Sequence, residues 1–194
     1  MSIGIVACGA IATHINEIVQ EESLDITIYP LPPLLHNRPE KIAGEVDALL
    51  IQIAGKHEKC AVAYADCGTY GALDIVIARH NVSRLDGNHC YDIFAGAAEI
   101  EKIMTQDAGT YFLTDFLLKS FHRSVIVELG LDKYPHLRDD YFKNYSRVIW
   151  LAQRRTPELE QAAIDAADEI GLPLEIRIVG TDGLKRAIVE LITN

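Results

Sequence analysis

Positive charge is scarce in this chain: 18 Lys and Arg stand against 28 Asp and Glu, a formal net charge of −10. A surface that holds nucleic acid or an anionic membrane needs clustered Lys and Arg to neutralise phosphates, so neither partner is expected. The short run Gln153-Arg154-Arg155 does not reverse that balance and reads as a solvated loop. No apolar run reaches the length of a membrane span. The opening, Met1-Ser2-Ile3-Gly4-Ile5-Val6-Ala7-Cys8, lacks the basic flank of a secretory signal and runs straight into a strand pattern, so a cytoplasmic location is expected. There is no CxxC pair and no Walker-type lysine loop, and Cys8-Gly9-Ala10-Ile11-Ala12 is too poor in glycine for a dinucleotide fingerprint. NAD and ATP are thereby disfavoured. Repeats, low-complexity tracts and linkers are missing too, and 194 residues suit one substantial core, a single domain over 1–194.

What is present is an alternation of short β-branched runs with longer amphipathic stretches. Ile3–Ala7, Asp25–Leu31, Cys60–Ala65, Val82–Leu85, Arg147–Ala152 and Leu174–Val179 read as strands. Helices are expected over Ile11–Glu21, after Pro39, over Ala72–Arg79, and over Ile93–Met104, where Gly96 and Ala97 would allow close packing. Thr156-Pro157-Glu158 opens another with cap, first-position proline and first-turn acid in order, and the last is expected near Asp182–Ile192. Strands separated by helices imply an α/β fold: a parallel, doubly wound, Rossmann-like sheet with helices on both faces. The stretch from Gly109 to Tyr145 fits least well. Helices around Thr114–Phe121 and Pro135–Phe142 suggest a small helical insertion at residues 110–145.

In an open α/β sheet, ligands bind outside the carboxyl ends of the strands. Cys8 ends the first strand, Cys67 follows the third, and Cys90 lies in the loop after the fourth. Asp66, Asp86, Asn88 and His89 fall at the same edge, with Leu35-His36-Asn37-Arg38 after the second strand. Three thiols on one rim suit a soft metal such as zinc or an iron–sulfur cluster. A histidine, His36 or His89, would close a zinc site; three cysteines alone would leave one position open. The plainer alternative is that these cysteines are small residues packed as hydrophobes at sheet ends. Between the two stands a single reactive thiol, Cys67, with Gly68 and Thr69 at a helix N-terminus lowering its pKa. Cys60 sits at the other end of its strand and reads as core.

Around the thiols, His36 suits an acid or a ligand and Arg38 an anion-binding fork, against the bland reading of a wet Pro-rich turn. Asp66 and Thr69 are further candidates for holding substrate. Thr114 reads as a helix cap, while Tyr111 and Asp115 are candidate walls of a substrate pocket.

Leu35-His36-Asn37-Arg38-Pro39-Glu40, Asp66-Cys67-Gly68-Thr69, His89-Cys90-Tyr91, Phe94-Ala95-Gly96, Gly109 to Phe116, and Tyr141-Phe142-Lys143-Asn144-Tyr145 together resemble the family catalogued as domain of unknown function 1638. One departure is Ala65, where the family more often has Gly. The resemblance implies no established activity. It does imply a setting near corrinoid-dependent methyltransferases, hence one-carbon or corrinoid chemistry. Three functions compete: an enzyme with a thiolate-bound metal acting on a small molecule, a corrinoid-binding accessory protein for a methyltransferase, and a metal-free cysteine enzyme using Cys67.

Overall fold

The computed structural model describes residues 2–193. Along the chain run β1 (Ile3–Ala7), α1 (Ala12–Glu21), β2 (Ile26–Pro30), α2 (Pro39–Ile53), β3 (Lys59–Ala63), α3 (Ala72–His80), β4 (Ser83–Arg84), α4 (Cys90–Ala95) and α5 (Ala97–Gln106). Then follow β5 (Thr110–Thr114), α6 (Asp115–Phe121), α7 (Arg138–Phe142), β6 (Arg147–Ala152), α8 (Pro157–Ile170), β7 (Leu174–Ile178) and α9 (Asp182–Thr193). They form two compact units, one of Met1–Ile93 with Thr181–Asn194, the other of Phe94–Gly180. The α/β class is as expected, but the strands divide into two parallel sheets rather than one.

The first unit holds the sheet β2-β1-β3-β4. β1 is Ile-Gly-Ile-Val-Ala and buried throughout, as a central strand covered on both faces must be. The edge strand β2 is only partly buried. On α2, Ile42, Val46, Leu50 and Ile53 are buried at three- and four-residue spacing, and each such side chain contributes about 1.5–3 kcal/mol by leaving water. The chain steps from β1 outward to β2, then crosses back over β1 to β3 and on to β4. Right-handed crossovers therefore place α1 on one face and α2 and α3 on the other. The packing agrees: α1 lies against α9, and α2 against α3. α9 also packs on β3, and the Lys59 ammonium donates to the Ile192 carbonyl at 3.0 Å. The strand order reverses direction between β1 and β3, and the crevice at that reversal is where α/β sheets bind ligands.

The second unit holds β5-β6-β7 in simple succession, so its crossovers all lie on one face and no reversal occurs. α6 and α8 share that face, over a core of Leu113, Val148, Trp150 and Ala152. On the other side Arg177 of β7 pairs with Glu99 of α5 at 2.7 Å.

Two expectations are corrected here. Thr110–Thr114 is a strand, because Thr110, Tyr111, Phe112 and Thr114 are side chains that favour a pleated, buried backbone; the helices after it are the crossover to β6 rather than an insertion. The helix expected over Ile93–Met104 is broken at Gly96, which has φ +87° and ends α4 before α5 begins. A Cβ there would meet nothing within 4 Å, so this glycine serves backbone conformation and not close packing. Among the described residues no helix is long and apolar enough to cross a membrane.

Candidate functional site

The four loops that leave the first sheet are tied into one rim. Cys8 follows β1 and donates its N–H to the Ala63 carbonyl at 3.1 Å, while Leu31 N–H, just past β2, donates to Ala7 at 2.9 Å. Gly9 lets the second loop lie directly on the first. A Cβ there would stand 2.2 Å from the Leu31 carbonyl oxygen and 2.8 Å from Pro33 N. The 3₁₀ turn Pro33–Asn37 carries His36 back over Cys8, whose sulfur lies 3.9 Å from Nδ1 and 3.8 Å from Nε2. Past β3, Asp66 N–H and Cys67 N–H donate to Gly87 and Asn88 carbonyls at 3.1 and 2.8 Å, joining the third loop to the fourth.

Cys8, Cys67 and Cys90 all lie at this rim. Burial pushes the Cys8 thiol up to about 11, against the pull of Ala10 and Ile11 N–H groups and of the Tyr64 hydroxyl. It pushes Cys67 up to about 12, with Cys8 and Asp66 adding to the rise and backbone N–H groups of Ala65 and Cys90 opposing it. Cys90 is raised well above the ordinary thiol range by burial and then by Cys67 and Cys8. Cys67 thus feels Cys8, and Cys90 feels both. Burial dominates at all three, joined by neighbouring negative charge at Cys67 and Cys90, so near neutral pH they are thiols. All four cysteines of the protein are free. Among the described residues no three His, Cys, Asp or Glu side chains stand in an arrangement ready to hold a metal ion.

His36 is lowered, first by burial and also by the charge of His89, so it is a neutral imidazole against Cys8. Its ring stacks on that of Tyr64, with centroids 5.8 Å apart and planes 22° from parallel. Tyr64 is 0% exposed, and burial, with Cys8 beside it, raises its hydroxyl well above the ordinary tyrosine range. In the sequence this tyrosine reads as one more strand residue. Its only signal is a polar tip at the end of an apolar run, immediately before Ala65-Asp66-Cys67.

Several expected roles change. Cys67 is not activated by a helix N-terminus, since α3 begins only at Ala72; the thiol is raised, not lowered. Cys67 also takes φ +50°, the left-handed region, as part of the tight turn. Asp66 is committed to holding its own loop. It accepts from Gly68 N–H at 3.2 Å, Thr69 Oγ1 at 2.7 Å, Tyr70 N–H at 3.1 Å and Gly71 N–H at 3.1 Å. Burial alone would raise its carboxyl, but these bonds win and hold it below the usual carboxylate range. Thr69, buried and donating to Asp66, belongs to the same device. Cys90 opens α4 rather than lying in a loop, and Asp92 accepts from Asn88 and His89 N–H groups at 2.8 and 3.1 Å, capping that helix. Arg38 is exposed at the start of α2.

Tyr111 and Asp115 lie in the second unit and are occupied there. Tyr111 packs edge-on to Phe142 and Tyr145, at 5.7 and 5.2 Å between centroids, and burial pushes its hydroxyl up to about 12. Asp115, 2% exposed, accepts from Trp150 Nε1 at 2.9 Å, Gln153 N–H at 3.1 Å and Arg154 N–H at 2.8 Å. Its own N–H donates to Gln153 Oε1 at 2.9 Å. It pins the end of β6 to the start of α6.

The family described as Protein of unknown function (DUF1638) matches residues 30–188. The chain belongs to this family. The DUF1638 match includes His36, Cys67 and Cys90, while Cys8 precedes it. No curated protein and no solved structure matches the chain.

Proposed function

We propose that this DUF1638 protein is a small-molecule enzyme whose centre is a soft metal, zinc or an iron–sulfur species, held by Cys8, Cys67 and Cys90. The observation that carries the reading is the company of the three thiols. They share one rim, burial raises all three, Cys8 adds to the rise of Cys67 and Cys90 and Cys67 to that of Cys90, and backbone N–H groups oppose it. Such an arrangement is unfavourable for bare thiolates and favourable once a cation replaces three protons. N–H donors to sulfur are also what thiolate-bound metals use to tune their charge. The position at the β1–β3 reversal suits a ligand-binding crevice. Closing the site requires the side chains to rotate until the sulfurs stand about 2.3 Å from a common ion. His36, against Cys8, is the candidate fourth ligand or proton carrier, and Arg38 at the exposed start of α2 the candidate receiver of an anionic group. Free thiols on this scale suit the reducing cytoplasm.

Elemental analysis of protein purified without oxygen tests this. One equivalent of zinc, or iron with acid-labile sulfide, is expected, and Cys67→Ser should abolish it. Metal-free protein that takes up none on reconstitution would refute the proposal. The one-carbon setting, with a corrinoid or its methyltransferase as partner, rests on the family resemblance. Cobalamin titration tests it separately: thermal stabilisation supports it, and no spectral or thermal response removes it.

A further inference from the structure

We infer that the free edge of β7 is where two copies of this chain pair, strand against antiparallel strand, about a two-fold axis centred on Ile176. The pairing is independent of the metal reading. It starts from a row of main-chain groups without partners. Val148 N–H donates to the Pro173 carbonyl and Val179 N–H to the Ala152 carbonyl, which fixes the alternation along β7. Glu175 and Arg177 therefore turn their N–H and C=O groups toward β6, while those of Leu174, Ile176 and Ile178 turn outward. No hydrogen bond among the described residues uses these outward groups. The other sheet edges are blunted: β2 ends in Pro30, β4 is two residues long, and β5 is buried at every position but Tyr111. β7 has neither proline nor lysine, and Ile178 at its end is 66% exposed.

The strand's own sequence, Leu-Glu-Ile-Arg-Ile, selects a second copy as the occupant, because it is complementary to itself when reversed. With Ile176 opposite its counterpart, Glu175 faces Arg177 of the second copy and Leu174 faces Ile178. Opposite charges then share one face of the joined sheet, and apolar side chains share the other. Outward groups meet outward groups, so the Ile176 pair and the Leu174–Ile178 pairs each exchange both main-chain bonds. Glu175 and Arg177 fall at the non-hydrogen-bonded pairs, where side chains approach most closely. A slip of two residues either way sets Glu175 against Glu175 or Arg177 against Arg177. A slip of one turns every side chain to the wrong face. Arg177 has a donor to spare: Nε donates to Glu175 of its own chain at 2.6 Å and Nη1 to Glu99 at 2.7 Å, while Nη2 meets no acceptor among the described residues. Leu174 of the second copy would cover the exposed Ile178 and take apolar surface out of water. Such a two-fold contact closes on itself, joining two three-stranded sheets into one.

Sedimentation velocity of the full chain, in reductant so that disulfides cannot link copies, is the test. A monomer–dimer equilibrium with a Kd on the order of micromolar is expected for an interface this small. Arg177→Glu should weaken it about tenfold or more, because both symmetric pairs become repulsive. Adding Glu175→Arg to that variant exchanges the two signs, and the dimer should return. Ile178→Pro removes an outward N–H that nothing within one copy uses, and should weaken association while circular dichroism stays that of wild type. A chain still monomeric at about 100 μM would overturn the inference. So would wild-type dimerisation in both Arg177→Glu and Ile178→Pro, a folded double variant that regains no association, or open-ended assembly beyond the dimer. If Arg177→Glu does not fold, Ile178→Pro decides alone.

Discussion

Replacing glycine by alanine at two positions should have opposite effects, for reasons that can be worked from the backbone. At Gly9 a Cβ would sit 2.2 Å from the Leu31 carbonyl oxygen, 2.8 Å from Pro33 N and 3.0 Å from Pro33 Cα. All three are main-chain atoms, so no side chain can swing away. An ordinary carbon–oxygen contact needs about 3.3 Å. The segment carrying Leu31 to His36 must therefore move by roughly 1 Å, or the Cys8 turn must. Overpacking of that kind costs about 1–3 kcal/mol. At Gly44, in the middle of α2 and exposed, a Cβ would meet nothing within 4 Å. There the helix gains about 0.5–1 kcal/mol from alanine. For a chain of 194 residues each kcal/mol moves the melting temperature about 2–4 °C. Scanning calorimetry should show Gly9→Ala melting at least about 2 °C below wild type and Gly44→Ala slightly above it. Gly9→Ala should also weaken zinc binding, because the displaced segment carries His36 away from Cys8. A Gly9→Ala protein that melts with or above Gly44→Ala would show that the close approach of the first two loops is not what this glycine serves.

Asp115→Ala should destabilise by about 2–6 kcal/mol in urea titration, because the buried Trp150 Nε1 and Gln153 N–H donors lose their acceptor; a loss under 1 kcal/mol would contradict that. Asp66 has a depressed carboxyl, so its stabilising contribution is complete above the ordinary carboxylate pKa and disappears as pH falls through the lower folded value. The acid limb of the melting curve should therefore flatten in Asp66→Asn, while wild-type stability between pH 5 and 8 owes no slope to this group. Zinc uptake should release protons, since the Cys8 and Cys67 thiols at about 11 and 12 must ionise; calorimetry in buffers of different ionisation enthalpy counts them, and zero release would exclude thiolate ligation. Cys60→Ala should leave metal stoichiometry untouched, because Cys60 pairs with Gly4 at the opposite end of β3 from Cys67.

The rim of the first sheet was legible because it follows from strand order along the chain: whatever comes straight after a parallel strand lies at one edge. Cys8, His36, Cys67 and Cys90 could be placed there from alternation alone. Their ionisation could not, because it depends on burial and on each other, and the helix that should have activated Cys67 starts five residues later. Asp115 was correctly placed at the start of a helix, yet its partners lie 35 to 39 residues away with no local trace. Thr110–Thr114 was obscured by the capping signal of Thr114, which is real and accepts from Leu117 N–H at 3.4 Å, but sits at the end of a strand. Tyr64 carries no motif at all. Its burial beneath the His36 ring is visible only in three dimensions.

After the second unit the chain returns to the first as α9, which covers β3 and α1. On a translating ribosome the opening half of the polypeptide therefore waits for its last wall. Until Leu184, Ile188 and Leu191 emerge, the apolar side of that early sheet stays open to water and to chaperones. The thiol-bearing unit is completed only after the second has been made.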